Sequence, residues 1–287
     1  MRRLLLNTTA ILTAAGYATR WLPWSLSMPK EMLPVFVDGT AVPAIQYVFE
    51  QLYDMGFRKF VIVVRKYKEV IMQHFSRDDL YLAYLEKIGK TKEKSKIEDF
   101  YRKVEDSEIV FASAPPNGFG GAVLSAEKYV HTDFVYIAAP DVIVPDAYKY
   151  YHVPDEAHIV GSTGVVGYIL VSKSPRPENY GVVVGDHRVQ EIVEKPKEPK
   201  SDLVFLGYAM LHRKVFNYIR EEKPDEKGEI QLTPAISRMA KEAEIKIVRV
   251  PQFFDIGNVE GYLAYLYPLA LYAHIKNENN ERNRRTY

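Results

Sequence analysis

Six ionic side chains stand at or just beyond the ends of short apolar runs: Arg20, Lys30, Asp141, Glu194, Lys195 and Asp255. Arg20 and Lys30 share one stretch, "GYATRWLPWSLSMPKEMLP" (16–34), which holds three prolines and no carboxylate between the two cations. Arginine offers phosphate oxygens a planar fork, and lysine offers them a compact charge. Asp141 closes "FVYIAAPD", Glu194 and Lys195 close "VQEIVEKP", and Asp255 follows "IVRVPQFFD" just before "IGN". Two carboxylates from distant segments suit Mg2+, which takes one or two carboxylates together with water and substrate phosphates. Phosphate transfer asks a protein mainly for positioning and charge neutralisation, and this set of groups supplies both. The prolines restrict the loop, so its cations are held in place before any ligand arrives.

Taken singly, each residue has a plainer reading. Arg20 and Lys30 could be solvated loop cations, Asp141 could cap a turn, and Asp255 could itself be a turn residue. "EKPKEPK" is the kind of charge run that usually forms surface. Only joint placement raises the six above these readings, so the elements that position them decide the matter.

Short apolar runs alternate with helical patterns, the mark of an α/β sheet. "AILTAA" (10–15) is the first strand and "KFVIVV" (59–64) the second. Between them Ile45, Val48, Leu52 and Met55 share one helical face, with Pro43 suited to the first turn and Gly56 to the exit. A helix follows at "YKEVIMQHF", and residues 77–107 read as a charged helical hairpin outside the sheet. "EIVFAS", a glycine-rich turn "PPNGFGG" and a helix from Ala122 come next. Strands are expected at "FVYIAAPD", "HIVGSTGVVGYILVSK" (158–173), "YGVVV", "RVQEIVEK", "LVFLGYAML" and "IKIVRV". Helices are expected near 230–243 and 259–275. In an open parallel sheet, ligands bind outside the carboxyl ends of the strands, and the six ionic groups fall at such ends.

Composition narrows the classes. The 287 residues are 47% hydrophobic, enough for a large core, and carry a net charge of +1, which gives no global field for nucleic acid or membrane. Cysteine is absent, which excludes disulfides, thiolate catalysis and Cys-ligated zinc and suits a reducing, cytoplasmic setting. No stretch approaches the roughly 18 apolar residues that span a bilayer. A Gly-x-Gly-x-x-Gly turn entering a helix is absent after the first strand, which argues against dinucleotide binding. The helix "VEGYLAYLYPLALYAHI" is apolar almost all round, so it needs a partner surface, either the chain's own core or another subunit.

These residues resemble the sugar-1-phosphate nucleotidyltransferases from about residue 10 to 270, and within them the UTP–glucose-1-phosphate uridylyltransferases. The narrower likeness rests on "MPKEMLPV", "LYLAYLEKIGKTKEKSKIEDF", "APDVIV" and "EIQLTPAI", with "NYGVV", "EIVEKPK", "FLGYAML" and "DIGNVEGY" in support. The helical insertion discriminates best, because the related thymidylyltransferases typically lack it. The resemblance implies a Rossmann-like, glycosyltransferase-A-like α/β fold. Its mixed, mostly parallel sheet is flanked by helices, with a small additional β region and C-terminal helices. It implies one domain over 8–275, with 77–107 as a helical insertion, 241–275 as a C-terminal helical region open to a subunit contact, and 276–287 as a polar tail. The implied reaction joins UTP and glucose 1-phosphate into UDP-glucose and pyrophosphate, in the cytoplasm, in a homo-oligomer, without nucleic acid or membrane.

The roles follow from the same likeness. Arg20 and Lys30 steady the triphosphate, Lys195 binds the sugar phosphate, and Asp141 with Asp255 holds Mg2+. Glu194 takes the sugar hydroxyls, with Gly181 and Gly207 as backbone contacts. Ala14, Ala15 and Gly16 face the base, helped by Gly118, Gly120 and Ser113. This chain departs from the family at Ala18, where a second loop glycine is usual, and at Gly121, often His or Gln. Ser113 stands where a glutamine commonly reads the pyrimidine edge, and a serine lacks the two-sided amide pattern. Those departures leave a thymidylyl donor, broad pyrimidine use, or a weakly catalytic regulatory homologue as alternatives.

Overall fold

A computed structural model describes residue 5, residues 7–145 other than 38, 67 and 116, and residues 165–269. The first strand, β1 (Thr8–Ala14), begins two residues before the apolar run, because Thr8 and Thr9 pair with the neighbouring strands. A long loop leads to a small hairpin, β2 (Pro34–Val37) and β3 (Thr40–Pro43), which feeds α1 (Ala44–Met55). Ile45, Val48 and Leu52 are buried on α1 as their spacing requires, Pro43 sits at its N-cap, and Gly56 closes it. β4 (Lys59–Val64) follows, and α2 (Glu69–His74) matches the described part of the helix expected there.

The charged segment folds as α3 (Asp79–Lys87) and α4 (Thr91–Glu105), which bury Leu82, Leu85, Phe100 and Tyr101 and leave Leu80, Tyr81, Tyr84 and Ile88 exposed. β5 (Glu108–Ser113) comes next, then α5 (Gly118–Ser125), which starts four residues before Ala122. Gly118 and Gly120 let this turn lie against residues 229–231, and Gly121 leaves room for the Asn117 side chain, so the segment coils earlier than a glycine-rich turn suggests. The chain continues through β6 (Phe134–Ala138), β7 (Val142–Ile143), β8 (Val165–Lys173), β9 (Gly181–Val184), β10 (Glu191–Glu194) and β11 (Leu203–His212). It then forms α6 (Val215–Arg220), α7 (Leu232–Glu242), β12 (Glu244–Arg249), β13 (Phe254–Asp255) and a helix, α8, over 259–269. The start of the strand expected over 158–173, the end of the helix expected over 259–275 and the tail over 276–287 lie outside the described residues.

Nine strands make one mixed sheet among the described residues, in the order β10-β9-β11-β6-β1-β4-β5, with β8 on β11 and β12 on β8. Its central run β6-β1-β4-β5 is parallel, and β11 turns the direction by pairing antiparallel with β6. Alternate residues of β1 face opposite cores: Ala10, Leu12 and Ala14 meet α1 and the insertion, whereas Ile11 meets α5, α6 and α7. The sheet is therefore covered by helices on both faces, and its open side is the carboxyl end of the parallel strands. A third, smaller cluster packs the β2–β3 hairpin against α8, which buries Tyr265 and leaves Leu263 and Tyr267 exposed. No described helix is long and apolar enough to cross a membrane.

Candidate active site

The loop after β1 runs as three single turns of 3-10 helix, Thr19–Trp21, Trp24–Leu26 and Lys30–Met32. Ala18 enters the first turn in the left-handed region, φ 54° and ψ 42°, so the loop takes the conformation a glycine would allow and bears the strain. Trp21 anchors the loop's middle: its indole N–H donates to Ile256 O at 3.0 Å. That contact brings Arg20 over the segment that carries Asp255.

Asp141 and Asp255 are set beside each other by a two-residue antiparallel ladder. β13 pairs with β7 so that Asp255 lies opposite Val142, the residue after Asp141. A Cβ built on Gly257 would lie 2.6 Å from Asp141 Oδ2, 2.8 Å from Asp255 Oδ1 and 3.2 Å from Arg20 Nη2, so three groups remote in sequence meet at one point. Asp255 Oδ1 accepts from Gly257 N at 3.0 Å. Its Oδ2 accepts from Asn258 Nδ2 at 3.0 Å, from the Tyr180 hydroxyl at 3.3 Å and from Arg20 Nη1 at 3.5 Å. Lys30 is ion-paired with Asp141, and both side chains are largely shielded, 16% and 14% exposed.

The electrostatics follow from that shielding. Burial disfavours the Lys30 ammonium, but Asp141 and Glu31 outweigh it and hold the Lys30 pKa above its ordinary value. Burial likewise disfavours the Asp141 carboxylate, and the charge and hydrogen bond of Lys30 outweigh that and hold its pKa low. Both groups are therefore charged at neutral pH. The Tyr180 phenol is pushed up, first by burial and then by the Asp255 charge, so it stays a donor.

The antiparallel half of the sheet supplies the opposite wall. Glu194 ends β10 across from Gly181 of β9. Thr233 Oγ1 donates to Glu194 Oε2 at 2.7 Å, and Lys195 Nζ lies 3.0 Å from Glu194 Oε1. Lys195 has φ 42°; with Ala18 it is one of the two described non-glycine residues at positive φ, and both face the cleft. Strain of this kind, about 1–3 kcal/mol each, persists where surrounding structure over-determines it. Gly207 sits at φ +77° in an irregularity of β11, where a Cβ would come within 2.8 Å of Ala139 Cβ, so only glycine lets this strand approach the chain just beyond β6 there.

Arg20, Lys30, Asp141, Glu194, Lys195 and Asp255 all line one cleft of about 610 Å³, with Ala15, Gly16, Gly118, Gly181 and Gly207. Three residues expected at the base do not line it. Ala14 is buried, and its carbonyl accepts from Lys68 Nζ at 2.6 Å. Gly120 is packed under residues 230–231 and donates to Ile230 O at 2.9 Å. Ser113 ends the outermost strand of the parallel run and is exposed outside the cleft. Residues that sequence reading passed over are Tyr180, Thr233 and Gly257, which lie within quoted stretches, and the buried pair Glu31–Lys68, whose partners no spacing rule connects.

Among the described residues no cluster of three or more His, Cys, Asp and Glu forms a ready-made metal cage. Two carboxylates facing the cleft are nonetheless hard oxygen donors of the number Mg2+ takes alongside phosphates, so the donor set fits that ion.

Known proteins share this architecture. A sequence model described as Nucleotidyl transferase matches residues 9–269. A Methanocaldococcus jannaschii protein that carries the provisional name UTP–glucose-1-phosphate uridylyltransferase is 32% identical over 265 residues, covering 88% of this chain and 90% of its own. A Staphylococcus epidermidis UTP–glucose-1-phosphate uridylyltransferase is 29% identical over 269 residues, with 88% and 89% covered. The structure of UTP-bound UGPase from Acinetobacter baumannii superposes with a TM-score of 0.77 at 29% identity, covering 92% of this chain and 93% of that one. The matched family model spans the loop cations, both aspartates and the Glu194–Lys195 wall together, and the chain belongs to the nucleotidyl transferase family.

Proposed function

We propose that this chain transfers a uridylyl group from UTP to glucose 1-phosphate, giving UDP-glucose and pyrophosphate, with Mg2+ held by Asp141 and Asp255. The observation that carries the reading is one cleft with two chemically distinct walls. On one wall Arg20 and Lys30 face the aspartates, and on the other Glu194 and Lys195 close the antiparallel strands. The named activities of the similar M. jannaschii, S. epidermidis and A. baumannii proteins support it.

In this reading a phosphate oxygen of the sugar attacks the α-phosphorus of the triphosphate. The bond from that phosphorus to the β-phosphate bridging oxygen breaks, and pyrophosphate leaves. Bound Mg2+ would neutralise charge on the phosphates. Lys30, held charged by Asp141, neutralises the transferring region, and Arg20 at the mouth of the cleft takes the leaving pyrophosphate. Lys195 binds the sugar phosphate, with its backbone fixed by donation from its N–H to Tyr180 O at 2.9 Å. Glu194, steadied by Thr233, accepts from sugar hydroxyls.

One observation favours a wider donor range. Ser113 lies outside the cleft, so no side-chain amide at that position reads the base edge. The test is pyrophosphate release from glucose 1-phosphate with UTP, dTTP, CTP, ATP or GTP in turn, with Mg2+ and with chelator. Turnover led by UTP and abolished by chelator is expected. Comparable rates with dTTP would favour broad pyrimidine use, and nucleotide binding without release from any triphosphate would overturn the enzymatic reading.

A further inference from the structure

The loop that carries Arg20 and Lys30 is tied along its length to Ile256, Asp255 and Asp141, and its two ends meet at one buried ammonium. Lys68 Nζ donates to Ala14 O at 2.6 Å, at the carboxyl end of β1 where the loop begins. The same nitrogen donates to Glu31 Oε2 at 2.8 Å, in the turn Lys30–Met32 where the loop ends. Lys68 and Glu31 are 2% and 1% exposed. Lys68 stands at the N-cap of α2, and its own N–H is fixed on Arg65 O. An apolar pair of similar volume would fill such a site without desolvating two charges, so a buried ion pair is poor evidence of a stability device. What this pair does, and an apolar pair could not, is hold a strand-end carbonyl and the residue next to Lys30 on one donor.

We propose that Lys68 is a positioning residue: through Ala14 O and Glu31 it clamps both ends of the loop and so fixes the separation of Arg20 and Lys30 across the triphosphate path. This rests on the reading under Proposed function and deepens it, since Lys68 is buried beneath the cleft and does not line it. Misplacing a charged group by about 1 Å can cost on the order of 100-fold in rate while leaving binding largely intact.

Two variants test it. Lys68→Met leaves Glu31 buried without its cation and lowers the melting temperature. Lys68→Met/Glu31→Gln removes both charges and restores melting to within about 3 °C of the parent. The double variant is expected to keep UTP affinity by calorimetry within about threefold while kcat stays about 10- to 100-fold down. Trypsin should also cut it faster at the Arg20–Trp21 bond, a readout that does not depend on activity. Recovery of kcat along with the melting temperature would overturn the clamp and leave a structural pair. Unchanged cleavage, or UTP affinity falling as far as kcat, would overturn it too. A parent protein that releases no pyrophosphate would instead refute the proposed function, and the cleavage rate would then decide the clamp alone.

Discussion

Gly257→Ala places one methyl group where the aspartates meet, and its effect can be worked from distances. Gly257 lies outside the left-handed region, so alanine suits its backbone and only space is at issue. The new Cβ would stand 2.6 Å from Asp141 Oδ2 and 2.8 Å from Asp255 Oδ1. To regain ordinary contact the Asp141 oxygen must retreat by about 0.8 Å and the Asp255 oxygen by about 0.6 Å. Asp255 yields least, because Gly257 N, Asn258, Tyr180 and Arg20 hold it. Asp141 therefore turns away and carries Lys30 with it. Overpacking at the tips of partly shielded side chains should cost about 1–2 kcal/mol, a fall of roughly 2–8 °C in melting temperature for a chain of this size. Displacing a charged group by nearly 1 Å should lower kcat about 100-fold and raise the Mg2+ concentration needed for half-maximal rate. Pyrophosphate release at saturating UTP and glucose 1-phosphate, titrated with Mg2+, measures both. A kcat within about twofold of the parent and an unchanged Mg2+ midpoint would refute the placement of the two aspartates in the reaction.

Further expectations are as direct. Asp141→Asn keeps the shape but removes the anion that pairs with Lys30, so turnover should fall by at least about 100-fold while circular dichroism stays native; near-parent turnover would refute the metal role. Lys195→Ala, at a side chain 57% exposed, should leave melting almost unchanged and raise KM for glucose 1-phosphate about tenfold or more, with UTP affinity preserved; equal losses for both substrates would contradict the assignment. His74 is held neutral by burial, its pKa pushed down to about 4, with a ring nitrogen 2.8 Å from Gln46 Oε1. The unfolded chain takes up that proton near pH 6.5 and the folded one only near 4. Stability is thus complete above pH 6.5 and falls toward pH 4, by at most about 1.4 kcal/mol per unit. Urea unfolding at pH 7 and pH 5 should show a smaller drop for His74→Gln than for the parent, and identical drops would refute the linkage.

The strands were legible because a strand covered on both faces is a short apolar run: "KFVIVV" and "EIVFAS" map onto β4 and β5 residue for residue. α1 was legible because its spacing and its terminal glycine agree. The ionic site could be read from strand ends, since the carboxyl edge of a parallel sheet collects whatever follows each strand. Its base-facing side could not. The family likeness puts Ser113 at the base, but α5 starts earlier than the glycine-rich turn suggests and β5 is the sheet's last strand, so the serine ends outside the cleft. Gly120 serves packing against Ile230, a contact set by the fold of a distant segment. The Glu31–Lys68 pair was invisible for the same reason, since its partners come from different elements and neither belongs to a periodic pattern.

The ladder between β7 and β13 has a temporal consequence. As the polypeptide leaves the ribosome, among the described residues every strand of the large sheet and every other ionic group of the cleft precedes Phe254. A nascent chain that stops there can assemble the scaffold but owns one acid of the two. If the two carboxylates act together as proposed, competence arrives at a single late moment of translation, when a two-residue stitch delivers Asp255 to a neighbour that has been waiting since Val142 emerged.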